Sequence, residues 1–147
     1  MANDTAISIR AMKFMVADID RVTDFYQKVF GFELDKTITL GEVTENVLLV
    51  PGSEVGLALI QHSDEPVTPG TAHGPLVIET DDVKGLADDV VSAGGTITMG
   101  PLELPNACLA VVTDPEGHSL ELVHLPNGAL NLDELDVESL QLDKLLP

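Results

Sequence analysis

The chain has 147 residues, 25 acidic and seven basic, for a formal net charge of −18, with one cysteine and no tryptophan. That length holds one ordinary domain or two small halves sharing a core, and 44% hydrophobic residues argue against disorder. So negative a surface repels phosphate backbones and anionic lipid, which excludes nucleic acid and membrane surfaces as expected partners, and the lone Cys108 excludes an intramolecular disulfide framework.

In chain order, Ile7 to Val16 is rich in β-branched and apolar residues and reads as a strand. Asp18 is placed to cap a helix through Phe30. Val22, Phe25, Tyr26, Val29 and Phe30 form its apolar stripe, and Gly31 sits at the left-handed stop. Strands are expected at Phe32 to Leu40, Glu45 to Val50 and Val55 to His62, with a tight turn at Pro51-Gly52-Ser53. Pro66, Pro69, Gly70 and Gly74 mark residues 63–74 as a linker.

The order then repeats. Leu76 to Thr80 is a short strand, and Asp81 or Asp82 caps a helix with Val83, Leu86, Ala87, Val90 and Val91 on one face. Gly94-Gly95 ends it. Thr96 to Met99 is a strand broken at Gly100-Pro101, and Ala107 to Thr113 and Ser119 to His124 flank a turn at Asp114-Pro115-Glu116-Gly117. Cys108, among strand residues, is expected to be a buried, inert thiol, and His118, in the turn, to be exposed. The chain is thus α+β, with two βαβββ units at 7–62 and 75–126 offset by about 64 residues, an internal duplication. The acidic tail, 127–147, carries leucines whose spacing fits neither a helix nor a strand. Exposed leucines at this density are costly, so they are expected to dock on the body or on a partner chain. No signal-peptide pattern and no run of about 20 apolar residues occurs, so a cytoplasmic protein is expected.

The stretch Val16-Ala-Asp-Ile-Asp-Arg-Val-Thr-Asp-Phe-Tyr-Gln-Lys-Val-Phe-Gly-Phe32 resembles the opening helix of the vicinal-oxygen-chelate superfamily, which holds glyoxalases, bleomycin resistance proteins and extradiol dioxygenases. Asp114-Pro-Glu-Gly-His-Ser-Leu-Glu-Leu122 resembles its closing Asp-Pro-x-Gly-x-x-x-Glu-Leu hairpin. The resemblance runs from about Ile7 to Pro126. It implies one glyoxalase-like domain over 1–147, built of tandem βαβββ units forming a cupped mixed sheet with helices outside, and a homodimer. Such a fold hosts lyases, isomerases, dioxygenases and drug binders, so function must come from the site.

The resemblance also implies a divalent metal held by inward side chains of equivalent strands. Carried over position by position, its ligands fall on Ala11, Ala58, Pro75 and Glu121. Three of these have no ligating side chain, and a catalytic divalent ion normally takes three protein ligands. No cofactor is therefore expected, with a divalent metal as the alternative. The fallback ligands are His73, two residues before Pro75, and His62, at the end of its strand; their plainer role is that of surface histidines beside the linker. His124 lies an odd number of residues beyond Glu121 and so on the opposite face.

Strand parity places Lys13 and Met15 with Ala11, and Val77 and Glu79 with Pro75. With Glu121 they make a candidate ligand-binding group in an aliphatic setting, and Glu121 is the candidate catalytic residue, able to carry a proton or accept a hydrogen bond from a ligand. Plainer roles stand beside these: Glu121 satisfied by Lys13 or backbone, Lys13 in a simple ion pair, Glu79 an acid common at that place in the family pattern. Two functions follow. One is binding or sequestration of a small, largely apolar, neutral or cationic molecule; the other is a lyase, isomerase or dioxygenase acting on a small oxygenated substrate, with relocated ligands or with Glu121 as a metal-free base. The lack of tryptophan argues against stacking a planar drug.

Overall fold

The computed structural model describes residues 6–63 and 66–126. The chain divides into two compact units, Met1–Val67 and Thr68–Pro147, parted inside the proline- and glycine-bearing linker. The leucine-bearing tail, 127–147, lies outside the described residues. Among the described residues no helix is long and apolar enough to cross a membrane.

The first unit runs β1 (Ala11–Met15), α1 (Ile19–Phe30), β2 (Glu33–Leu40), β3 (Val43–Leu49) and β4 (Gly56–His62). Its sheet has the order β1-β4-β3-β2, with β1 parallel to β4 and the other pairs antiparallel. Asp18 caps α1 by accepting from Arg21 N–H, and Gly31 closes it at φ 69°. The Gln61 side chain adds a second cap, accepting from Ile19 N–H at 2.8 Å. The strand expected from Ile7 begins only at Ala11. Ile7 and Ile9 are 84% and 78% exposed, and before Ala11 the ladder is reduced to Gly56 N–H donating to Arg10 C=O.

All five aromatic residues of the chain fall in this unit. Tyr26, fully buried, meets Phe25 edge-on at 5.1 Å and stacks on Phe30 and Phe32 at 5.8 Å each. Offset and edge contacts of this kind each add about 1 kcal/mol beyond simple burial. A small polar chain threads the same core: Thr37 donates to Asn46 Oδ1 at 2.7 Å, and Asn46 Nδ2 donates to Thr23 Oγ1 at 2.8 Å.

The second unit repeats the plan with β5 (Leu76–Glu79), α2 (Val83–Ser92), β6 (Thr96–Leu104), β7 (Ala107–Thr113) and β8 (Ser119–His124), in the order β5-β8-β7-β6. Asp82 caps α2 by accepting from Gly85 N–H at 2.9 Å. Its core is aliphatic: Val83, Ala87 and Val90 of α2 lie buried with Ala110, Val112, Leu120 and Leu122. The strand expected to break at Gly100-Pro101 instead continues to Leu104. Proline has no N–H for the ladder, and the register slips there, with Gly100 at φ 79°, before pairing resumes at Leu102 with Leu109.

Gly95 follows α2 where the helix end meets β7. A Cβ there would run into the Thr113 carbonyl and the Val90 side chain. Gly95→Ala is expected to cost about 1–3 kcal/mol, read as a lower denaturation midpoint in urea. Asn46→Ala, which removes the middle of the buried polar chain, is expected to cost about 1–3 kcal/mol by the same measurement.

Candidate functional site

Side chains alternate across a strand, so each sheet has one face on its helix and one turned away from it. In the first unit Phe14 meets Tyr26 of α1, and Leu57 and Leu59 are fully buried. Ala11, Lys13 and Met15 therefore turn to the face away from α1, in register with Gly56, Ala58 and Ile60 of β4. Val47 and Glu45 continue these rows on β3. Across β4, Lys13 Nζ reaches Glu45 Oε1 at 3.1 Å. The small side chain at Ala58 leaves the lysine stem room to cross.

In the second unit Leu120 and Leu122 are buried, and Glu121 turns to the face away from α2. One row there reads Val77, Glu121, Val111 and Met99 across β5, β8, β7 and β6. The next reads Glu79, Val123, Leu109 and Leu102. Glu121 is half-buried, with apolar side chains directly on both sides. Among the described residues its carboxylate makes no hydrogen bond or ion pair. Val77 is 58% exposed and Glu79, on the same edge strand, is exposed as well.

A buried carboxylate holds β8 in this register. Asp114, 2% exposed, accepts from Glu116 N–H at 2.9 Å and His118 N–H at 3.0 Å, and its Oδ2 lies 2.7 Å from His118 Nδ1. The backbone closes the same turn, with Asp114 N–H donating to His118 C=O and Gly117 at φ 93°. His118 was expected to be exposed; its side chain is only 12% exposed, because the Asp114 carboxylate draws the ring inward.

The remaining histidines are scattered. His62 closes β4 on the Ala58 face, and its Nδ1 is buried with no hydrogen-bond partner among the described residues. His73 is exposed and precedes β5, and His124 falls on the opposite face from Glu121. Ala11, Ala58 and Pro75 offer no donor atom. Among the described residues no group of three or more His, Cys, Asp or Glu side chains is placed to hold a metal ion. The donor set therefore does not fit a divalent ion of the three-ligand kind.

Cys108, expected to be buried, is half-buried on the α2 side of β7, opposite Glu103. Burial pushes its thiol above the ordinary value, and the Glu103 charge adds to this while Lys84 opposes it. Lys84 pairs with Glu103 at 2.8 Å, which raises the ammonium and lowers the carboxyl. Three contributors to this geometry were not singled out from the sequence: Glu45, Gln61 and the pairing of Asp114 with His118. Glu45 was within reach of parity, since the turn at Pro51-Gly52-Ser53 sets β3 against β4.

A family model described as Glyoxalase/Bleomycin resistance protein/Dioxygenase superfamily matches residues 8–122. Lactoylglutathione lyase GLX1 of Arabidopsis thaliana is 31% identical over 117 residues, 75% of this chain and 41% of that protein, so the chain spans less than half of that relative. Lactoylglutathione lyase of Escherichia coli O157:H7 is 30% identical over 115 residues, 74% of this chain and 85% of that protein. The crystal structure of TnmS3, an antibiotic binding protein from Streptomyces sp. CB03234, superposes with a TM-score of 0.66 at 24% identity, covering 82% of this chain and 98% of that one. This last likeness concerns the fold alone.

Asp114→Ala removes one acceptor from three donors in a buried turn. It is expected to cost about 3 kcal/mol, read by urea denaturation. Cys108 is expected to react with iodoacetamide several-fold more slowly than a free cysteine at pH 7.5, with the rate rising only at more alkaline pH, followed by intact mass.

Proposed function

We propose, for a chain that belongs to the Glyoxalase/Bleomycin resistance protein/Dioxygenase superfamily, that it binds a small, largely apolar, neutral or cationic molecule without the help of a metal. One observation carries this. Glu121 stands in an apolar row without a partner among the described residues, while the other three positions that the family resemblance assigns to metal ligation hold Ala11, Ala58 and Pro75. An aliphatic surface with one placed polar group suits recognition by burial plus orientation. No aromatic side chain lies on either sheet face turned away from a helix, so shape and apolar contact rather than ring stacking would hold the molecule. Taking each unit by itself, Lys13 and Met15 on the first unit's face, and Val77, Glu79 and Glu121 on the second unit's face, are the residues proposed for contact with such a molecule, within a homodimer in the cytoplasm. TnmS3 offers a protein of this fold that binds an antibiotic.

The lactoylglutathione lyase relatives favour a second function, a lyase, isomerase or dioxygenase acting on a small oxygenated substrate. In that case Glu121 would take or return a proton as general base, with His62 or His73 as the only histidines offered for a relocated metal. The acidic charge of the chain works against an anionic glutathione conjugate.

Elemental analysis and thermal shift separate the two. Protein purified without added metal is expected to carry no stoichiometric divalent ion, and Zn²⁺, Ni²⁺, Mn²⁺ and Fe²⁺ are expected to leave the melting temperature unchanged. Apolar ligands should raise it, and Glu121→Gln should alter the affinity of those that carry a cationic group. A tightly held metal whose removal abolishes turnover, or a Glu121→Gln variant that binds normally but stops turnover, would establish the enzyme instead.

A further inference from the structure

We propose that the molecule held on the second unit's face is an organic monocation, an ammonium with an apolar body, and that Glu121 is its counter-ion; this rests on the binding function above. The support is the internal duplication. Lys13 pairs in register with Ala58 in the first unit, and Val77 pairs in register with Glu121 in the second. Glu45 sits one row on, opposite Ile60, where the second unit has Leu109 opposite Val123. In the first unit an ammonium and a carboxylate on this face therefore satisfy each other at 3.1 Å. In the second, the positions matching Lys13 and Glu45 are both apolar, and a carboxylate has entered the row without its cation.

The chain supplies no substitute in the described part of that unit. Lys84 is the sole lysine or arginine there, and it is tied to Glu103 on the α2 side at 2.8 Å. A divalent ion is a poor occupant, because Glu121 stands among valines and the other carboxylate of this face, Glu79, lies one row on at the exposed edge strand, which leaves most of the coordination to water. An alkylammonium suits the place better. Its single charge meets Glu121, and its carbon chain covers Val77, Val111 and Met99. The ligand's amine would play toward Glu121 the part that the Lys13 amine plays toward Glu45.

Octylammonium and the uncharged 1-octanol make a matched probe pair, titrated into the full chain by calorimetry at about 0.15 M salt, where the Debye length is about 8 Å and the general field is screened. The amine is expected to bind about five- to tenfold more tightly than the alcohol, the size of one charge-assisted contact at a half-buried site. Glu121→Gln should erase that preference while leaving the alcohol's affinity in place. Asp88→Asn, the same charge change on the exposed side of α2, should keep it. Val77→Lys places an amine at the position matching Lys13, directly beside an intact Glu121, and should also erase the preference, which guards against a Glu121→Gln variant that fails to fold. Equal affinity for amine and alcohol overturns the counter-ion role but leaves apolar binding standing. Binding of neither probe overturns both. A preference that survives in Glu121→Gln comes from the general acidic field and overturns the assignment to this residue.

Discussion

Asp114 is a carboxylate sealed inside a turn, and three donors from the next four residues converge on it. A buried charge persists only when its lone pairs are met, so the turn has one stable shape. That shape fixes where β8 begins against β7. Because side chains alternate with a period of two, a slip of one residue would send Glu121 into the α2 packing and Leu120 and Leu122 to the other face. The face on which Glu121 stands thus depends on a hydrogen-bonded turn that precedes its strand.

The two units reach the same topology by different packing. The first gathers every Phe and Tyr ring of the chain around Tyr26 and tolerates a buried Thr37–Asn46–Thr23 chain because each link has a partner. The second has no Phe or Tyr and relies on branched aliphatics in a close helix-to-sheet approach, which is why it needs a glycine at position 95. Both start their helices with an aspartate that accepts from the third residue on, and in the first unit Gln61 reinforces that start from the neighbouring strand.

Duplication followed by divergence is most informative on the faces turned away from the helices. The first unit carries its cation and its anion together, with Lys13 engaged by Glu45. The second carries an acid flanked by valines. An exposed ion pair such as Lys13 with Glu45 adds little to stability, and its importance lies in leaving that face electrically satisfied. The contrast leaves the two faces differently charged although their sheets share one strand order.

The sequence by itself determined the element order, the duplication, the Asp18 cap, the glycine stop at Gly31 and the family, and it narrowed the second cap to Asp81 or Asp82, of which the structure uses Asp82. Each of these depends on near neighbours in the chain: a cap reaches three residues, a stripe repeats every three or four, a tight turn spans four. It also put Lys13 and Met15 on one face of their strand, and Val77 and Glu79 on one face of theirs, because parity within a strand is local; Ala58 and Glu121 came with the family resemblance. Tertiary structure alone decided what crosses between strands. Lys13 chose Glu45, Gln61 found the start of α1, His118 folded back onto Asp114, and β6 carried on through Gly100-Pro101 once Leu109 was there to receive Leu102. Lys13 with Glu45 and Gln61 with Ile19 join residues distant in the chain, which no local pattern encodes, and the short step from His118 to Asp114 is taken only because the turn is buried.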